Sequence, residues 1–145
     1  MGITEMKNFE EKNFLVVLLA VIFNPENRKI LIGKRKDPYI EKLTWTFPGG
    51  KAEPGDELES VLKRKIKEKT GLKVENLGSI FARVPPEKKD LVLIYYLCEA
   101  IEGEEKATGD LTELKWVKPE EIEKFFTTSF HPYLKEYILN LKKSE

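Results

Sequence analysis

The chain has 145 residues, of which 41% are hydrophobic and 34% charged, a length and composition typical of one folded domain with a densely charged surface. Lys plus Arg and Asp plus Glu number 25 each, so the formal net charge is zero. A zero net charge excludes a global basic field of the kind that recruits a nucleic-acid polymer or an acidic membrane face. Any charged ligand must therefore be bound locally.

The cysteine count and the length of the apolar runs indicate the compartment in which the protein works. Cys98 is the one cysteine, which excludes an intramolecular disulfide and a multi-cysteine zinc site and favours a reducing compartment. The longest apolar run, residues 14–23, is too short to span a bilayer. The acidic start, with Glu5, Glu10 and Glu11, does not resemble a secretory leader. We expect a cytoplasmic protein that does not contact membranes.

The first third of the chain reads as strands. A polar lead, residues 1–12, precedes a segment over 14–24 that is apolar up to residue 23, which predicts a strand buried on both faces at the centre of a sheet. Residues 29–35 alternate well enough to pair back as the second strand of a hairpin. A loop over 36–42 leads to a short predicted strand over 43–47.

A sharp backbone excursion is expected at residues 48–50, Pro-Gly-Gly, because glycine can take backbone angles closed to other residues. The next element is a predicted helix over 57–70, with Asp56 as its cap, Glu59 at the capping-box spacing and Gly71 as its stop. Its apolar stripe consists of Leu58, Val61, Leu62 and Ile66.

The rest of the chain contains three predicted strands followed by two predicted helices. Strands are predicted over 73–84, 91–100 and 111–117, and helices over 119–126 and 132–141. No internal repeat or low-complexity linker interrupts the chain, so we expect residues 1–145 to form a single domain. This mixture indicates an α/β sandwich with a mixed sheet, with function carried by the glycine loop and the helix after it.

The segment from Gly50 to Leu72, GKAEPGDELESVLKRKIKEKTGL, resembles the Nudix box, the signature of hydrolases that cleave nucleoside diphosphates linked to another group. The family pattern is G-x5-E-x7-R-E-U-x-E-E-x-G-U, where U is aliphatic. Residues that match it, with a shorter acid at the first Glu, are Gly50, Asp56, Arg64, Ile66, Glu68, Gly71 and Leu72. Further likeness lies in residues 33–35, 45–50 and 116–122. The resemblance implies the Nudix α/β/α sandwich with a mixed β-sheet.

Two box positions depart from the pattern, because Lys65 and Lys69 stand where the family has glutamates. The resemblance implies that those acids, with their neighbour, hold magnesium (or manganese) ions that bridge the substrate pyrophosphate. Hard cations need oxygen ligands, which an ammonium cannot supply. The cluster of Lys65, Glu68 and Lys69, expected to share one helix face, carries +1 where the family carries −3. We therefore expect weakened or lost metal binding.

The resemblance nominates Glu68 as the catalytic residue and metal ligand, with Gly50, through its carbonyl, and Asp56 as further metal ligands. The two acids each have a simpler interpretation: Asp56 as a helix cap and Glu68 as one partner of a structural ion pair. Many family members add an acid from a later loop. Four candidates follow the box here, and the sequence does not choose among Glu104, Glu105, Asp110 and Glu113.

Cationic side chains near the box are candidate substrate-binding groups. These side chains either contact phosphate oxygens directly or form a solvated surface: Lys65, Lys69 and Arg35. Arg35 is the favoured phosphate contact because its guanidinium is planar and can donate two parallel hydrogen bonds. His131, the only histidine, is interpreted as a surface or capping group rather than a catalyst. Strand aromatics are expected to fill the core, although one of them could stack on a base: Trp45, Phe47, Tyr95 and Tyr96.

Three functional hypotheses follow. The first is a Nudix-type hydrolase of a nucleoside diphosphate derivative, cleaving a pyrophosphate bond with water and magnesium or manganese, and weakened by the two lysines. The second is a non-catalytic module that binds a nucleotide or another phosphorylated ligand in the inherited cleft. The third is a protein-interaction unit without a small ligand. Whether the chain forms a homodimer stays open.

Overall fold

The computed structural model describes residues 13–36 and 44–142. The strands are β1 Leu15–Asn24, β2 Lys29–Arg35, β3 Trp45–Thr46, β4 Gly49–Lys51, β5 Leu72–Arg83, β6 Leu91–Gly103 and β7 Leu111–Val117. The helices are α1 Leu58–Thr70, a 3₁₀-helix Pro119–Phe125, and α2 Pro132–Leu139. Predictions for residues 1–12, for most of the 36–42 loop and for the first residue of the 43–47 strand lie outside the described residues.

The strands of the described residues form one mixed sheet with β1 at its centre. The order along the sheet is β3-β2-β1-β6-β5, with β4 also paired to β1 and β7 to β2. β1 and β6 run parallel, whereas β1 and β2 form the predicted antiparallel hairpin. The predictions of a central β1 and of a mixed sheet are confirmed.

Helices cover both faces of this sheet. One face of β1 packs against α1 and contains Leu18, Ala20 and Ile22. The other face packs against the 3₁₀-helix and α2 and contains Val17, Leu19 and Val21. Because each face of β1 meets its own apolar cluster, the strand is apolar from Leu15 to Phe23, as strands covered on both sides are. The layers are therefore α/β/α, as predicted. In the described part of the chain no helix is long and apolar enough to cross a bilayer.

The Pro-Gly-Gly segment does not contain the unusual backbone angles that we expected. Gly49 and Gly50 do not have positive φ and lie in β4, opposite Leu19 and Leu18 of β1. Glycine is required at position 49 because β4 and β1 lie very close together. A Cβ on Gly49 would lie 1.9 Å from the carbonyl oxygen of Leu18. Only a residue without a side chain lets β4 pack this tightly against the central strand.

The start of α1 also differs from the prediction, whereas its end agrees. The N-cap residue is Glu57, which makes no side-chain capping bond. Asp56 does not cap the helix, because its Oδ2 accepts a hydrogen bond from the backbone N–H of Glu53 at 2.8 Å and closes the preceding turn. Gly71 ends the helix as predicted, with φ 77° and its N–H bonded to the carbonyl of Lys67.

β6 is longer than predicted, since it continues to Gly103 into the segment expected to be a loop. The added residues pair with the start of β5, with Leu72 opposite Gly103 and Lys73 opposite Glu102. Cross-strand pairing thus overrides the weak strand propensity of a Glu- and Gly-rich segment.

The C-terminal elements are held by Arg28 in the β1–β2 turn. α2 ends at Leu139, two residues before the predicted end. The Arg28 guanidinium donates to the carbonyls of Leu139 and Leu141, at 2.8 and 2.9 Å, and pairs with Glu120 of the 3₁₀-helix. Carbonyls left free at the helix end are thereby satisfied by a side chain more than 100 residues away in sequence.

The histidine, the cysteine and the strand aromatics have structural roles. His131 is the N-cap of α2, where its Nδ1 accepts a hydrogen bond from the N–H of Tyr133 at 3.1 Å. Burial raises the pKa of the Cys98 thiol to about 12. The core contains three of the four strand aromatics, and the fourth packs partly buried against it: Phe47, Tyr95, Tyr96 and Trp45. The predicted capping role of His131 and the predicted packing of the strand aromatics are confirmed.

Candidate functional site

A cleft beside β4 brings together the C-terminal half of α1, the end of β2 and the loop before β7. The cavity has a volume of about 310 Å³, within the lower range of small-molecule sites. Five charged side chains line it together with one glycine and two apolar residues: Arg35, Lys51, Lys65, Lys69, Asp110, Gly50, Leu15 and Val17. We call this cavity the box cleft.

Gly50 gives the helix lysines room in the box cleft. A Cβ on Gly50 would lie 2.6 Å from Cδ of Lys65 and 3.1 Å from Nζ of Lys69. The glycine therefore lets both side chains lie directly against the backbone of β4. Lys65 and Lys69 enter the same cavity because they are four residues apart on α1.

The Lys69 ammonium is held by two oxygen atoms and is mostly buried. Its Nζ donates to the carbonyl oxygen of Gly49 at 2.5 Å and to Oδ2 of Asp110 at 3.3 Å. Its side chain is only 15% exposed. Burial lowers the pKa of the Lys69 amine, while the neighbouring Asp110 carboxylate opposes that effect.

Asp110 joins Lys69 to Arg35. The Arg35 guanidinium lies 2.9 Å from the same Oδ2, and the two side chains are 14% and 28% exposed. The backbone places this acid, because the N–H of Lys36 donates to the carbonyl of Asp110 at 2.9 Å, at the end of β2. The other oxygen, Oδ1, is buried and has no hydrogen-bond partner among the described residues. One carboxylate thus serves two cations.

Glu68 lies outside the box cleft. Its carboxylate is 3.7 Å from the Arg64 guanidinium, and both side chains are more than 60% exposed. Sequence reasoning expected Glu68 to project together with Lys65 and Lys69, but only the two lysines line the cavity. The Arg64–Glu68 contact is a surface i,i+4 ion pair, an arrangement that contributes little to stability.

Asp56 lies in a different depression, which it lines with Glu57, Ser60, Val61 and Arg64. The sequence-predicted metal ligands are therefore not brought together: Gly50 is in the box cleft, Asp56 is in the second depression and Glu68 is on the surface of α1.

Of the four later acids, only Asp110 lines the box cleft. Glu105 accepts a hydrogen bond from the indole N–H of Trp116, and Glu113 is exposed on β7, opposite Lys34 of β2. The carbonyl of Glu104 packs against Gly71, where a Cβ would lie 2.2 Å away. Sequence reasoning also missed Lys51, although its place next to Gly50 was a usable signal.

The charged groups of the box cleft do not fit a divalent metal ion. Four cationic side chains face one carboxylate there, which gives a formal local charge of +3. Across residues 13–36 and 44–142, no group of three or more His, Cys, Asp or Glu side chains could hold a metal ion. Magnesium and manganese require several oxygen ligands and favour negative surroundings. The cavity is instead suited to an anion.

Comparison with known proteins places the chain in a family. A family model described as the NUDIX domain matches residues 13–138. An ADP-ribose pyrophosphatase of Methanocaldococcus jannaschii is 32% identical over 98 residues, covering 66% of this chain and 57% of that protein. A putative 8-oxo-dGTP diphosphatase of Bacillus subtilis is 33% identical over 100 residues, covering 68% of this chain and 64% of that protein. The match thus spans about three fifths of the length of these two relatives.

Solved structures agree with the sequence comparison. A MutT structure from work on the Aliivibrio salmonicida and Vibrio cholerae proteins superposes with a TM-score of 0.68 at 25% identity, covering 89% of this chain and all of that one. The MutT protein of Methanosarcina mazei superposes with a TM-score of 0.67 at 23% identity, covering 89% of this chain and 93% of that one. This chain belongs to the Nudix hydrolase family and has its α/β/α fold.

Proposed function

We propose that this Nudix domain binds the phosphates of a nucleotide or nucleoside diphosphate derivative in the box cleft, and that metal-assisted hydrolysis of the pyrophosphate bond is weakened there. The observation that carries the proposal is the convergence of Arg35, Lys65 and Lys69 on a cavity with a single carboxylate. Charge-assisted hydrogen bonds from such side chains to phosphate oxygens are among the strongest that proteins form.

Each cation has a distinct role in this binding. Arg35 is oriented by Asp110, so its planar fork is held in place for two phosphate oxygens. Lys65 makes no hydrogen bond or ion pair with any described residue, so its ammonium is free to turn toward a ligand. Lys69 is fixed between Gly49 and Asp110 and supplies positive charge at the base of the cavity.

The names of the relatives support the substrate class. The two similar proteins carry the names ADP-ribose pyrophosphatase and putative 8-oxo-dGTP diphosphatase, and both substrates contain linked phosphates on a nucleoside. A cavity of about 310 Å³ is sufficient for a diphosphate group, with the nucleoside extending out of the cleft.

Weak hydrolysis follows from the placement of the acids. The acid that matches the box, Glu68, is paired with Arg64 on the surface, and the acid that lines the cleft, Asp110, is already shared by two cations. No carboxylate of the described residues is both in the cleft and free of an ion pair. Among the described residues, the cleft therefore has no unpaired carboxylate that could act as the general base for the attacking water.

The test is an activity and binding survey of the purified 145-residue chain. ADP-ribose, dinucleoside polyphosphates, sugar nucleotides and nucleoside triphosphates are each incubated with magnesium or manganese, and product release and calorimetric binding are measured. Binding with turnover far below about 1 per second supports the proposal. Turnover at or above that rate contradicts the weakened chemistry, and the absence of binding to every ligand contradicts the phosphate site and favours a protein-interaction unit.

A charge-neutral variant locates the binding site. Lys65→Met should weaken binding about tenfold, because it removes one charge-assisted contact to phosphate. Lys63→Met is the matched control, since Lys63 is exposed on the same helix and does not line the box cleft. Equal effects of the two variants would show that binding does not take place in this cavity.

A further inference from the structure

The Lys69 ammonium occupies a position that has the oxygen ligands of a cation site. Its two partners are a backbone carbonyl, that of Gly49 at 2.5 Å, and a carboxylate oxygen of Asp110 at 3.3 Å. Carbonyl and carboxylate oxygens are the donors that hard cations use in proteins. In this chain a covalently attached cation satisfies them.

The surrounding backbone fixes Lys69 in this position. The backbone N–H of Thr108 donates to the carbonyl of Lys69 at 2.9 Å, and that of Lys106 donates to Thr70 at 3.0 Å. The loop before β7 is thereby bonded to the last turn of α1, and it brings Asp110 to the ammonium. A Cβ on Gly109 would lie 3.7 Å from Cγ of Lys69, in ordinary van der Waals contact. The lysine and its carboxylate are held as one unit.

The charge around this unit opposes a second cation. A free divalent ion that approached the Gly49 carbonyl would meet the Lys69 ammonium there, with Lys65 and Arg35 lining the same cavity. The acid that could attract it, Asp110, already neutralises part of this charge through two ion pairs. An anion, in contrast, is attracted electrostatically by each of these cations.

We propose that the Lys69 ammonium is a built-in cation that takes the place of a divalent metal, so that the box cleft binds phosphate ligands without one. This inference rests on the proposed function, which supplies the phosphate ligand. An ammonium has three N–H donors. Two are used by Gly49 and Asp110, and the third is available to a phosphate oxygen that Arg35 or Lys65 also contacts.

The first test is calorimetric titration of the full chain with inorganic pyrophosphate, in EDTA and in magnesium chloride. We expect binding in EDTA and no gain in affinity with magnesium. Binding that requires magnesium would overturn this inference and leave the phosphate site of the proposed function intact. Absence of binding in both conditions would overturn both proposals.

The second test is a variant that removes the ammonium while keeping an unbranched side chain one atom shorter. Lys69→Met should weaken pyrophosphate binding in EDTA by about tenfold or more, whereas the control Lys63→Met should change it less than twofold. A Lys69→Met protein that melts cooperatively and binds pyrophosphate as tightly as the wild type would overturn the inference.

The third test is metal binding itself, which does not depend on any phosphate ligand. Electron paramagnetic resonance of manganese with the wild-type chain should show no bound ion, and magnesium should not raise the melting temperature. The double variant Lys65→Glu, Lys69→Glu places two acids beside Gly50 and Asp110, and its melting temperature should rise with magnesium. Stoichiometric manganese binding by the wild type would overturn the inference.

Discussion

Replacing Asp110 by asparagine should strengthen phosphate binding while it lowers the stability of the fold. The Asp110 carboxylate lies 2.9 Å from the Arg35 guanidinium and 3.3 Å from the Lys69 ammonium, so a phosphate that contacts both cations must lie within roughly 6 Å of it. At an effective dielectric constant near 20, two unit charges at that distance repel by about 3 kcal/mol. Partial solvent exposure and salt reduce this value to about 1.4 kcal/mol, which corresponds to a tenfold gain in affinity.

Asp110→Asn keeps the shape of the side chain but leaves Arg35 and Lys69 without their counterion. Because both cations are mostly buried, at 14% and 15% exposed, we expect a loss of about 1 to 3 kcal/mol in the free energy of unfolding. The assay pairs calorimetric titration of pyrophosphate with chemical denaturation. Glu113→Gln is the control, since it removes one negative charge from the exposed surface of β7. Unchanged or weaker binding by Asp110→Asn would refute the electrostatic reasoning.

Three further predictions concern the packing and the hydrogen bonds of the fold. Gly49→Ala should destabilise the fold by about 3 to 5 kcal/mol in chemical denaturation, because its Cβ would overlap the carbonyl of Leu18 in β1. Gly55→Ala, where only the positive φ of 87° opposes a side chain, should cost about 1 kcal/mol; equal losses would contradict this steric argument. Cys98 should react with a thiol reagent only as fast as the chain unfolds, because the buried thiol has its pKa raised to about 12; rapid labelling of the native protein would contradict its burial. Burial tends to raise the pKa of the Glu87 carboxyl, but hydrogen bonds from the hydroxyl and backbone N–H of Ser129 outweigh it and hold this pKa below 4.5. Stability from this contact is therefore present above pH 4.5 and lost as the pH falls further, so Ser129→Ala should lower the melting temperature more above that pH than below it, and an equal decrease at both would count against the contact.

The fold could be predicted from the sequence because its signals are local and periodic. Residues 14–23 are apolar at every position, which is typical of a strand covered on both faces, and Gly71 ends α1 with the left-handed backbone that glycine favours. The spacing of the Nudix box indicated the family, and the family in turn implied the α/β/α topology.

The site could be predicted only in part, because helix spacing does not say which side of a helix faces a cleft. Glu68 and Lys69 are adjacent on α1 and so point about 100° apart. The packing of β4 decides that Lys69 enters the cavity while Glu68 meets solvent. Asp110 was one of four candidate acids, and its selection required the pairing of β7 with β2, a contact between segments more than 70 residues apart.

The hydrogen bonds between Arg28 and the carbonyls at the end of α2 have a consequence for folding during translation. During translation the β1–β2 hairpin emerges more than 100 residues before the carbonyls that its arginine binds, which belong to residues 139 and 141. α2 spans eight residues and is too short to be stable alone, so this side of the sheet is not fully covered until residues 132–141 have left the ribosome. A nascent chain that stalls before this point exposes Phe47 and its apolar neighbours to chaperones and proteases.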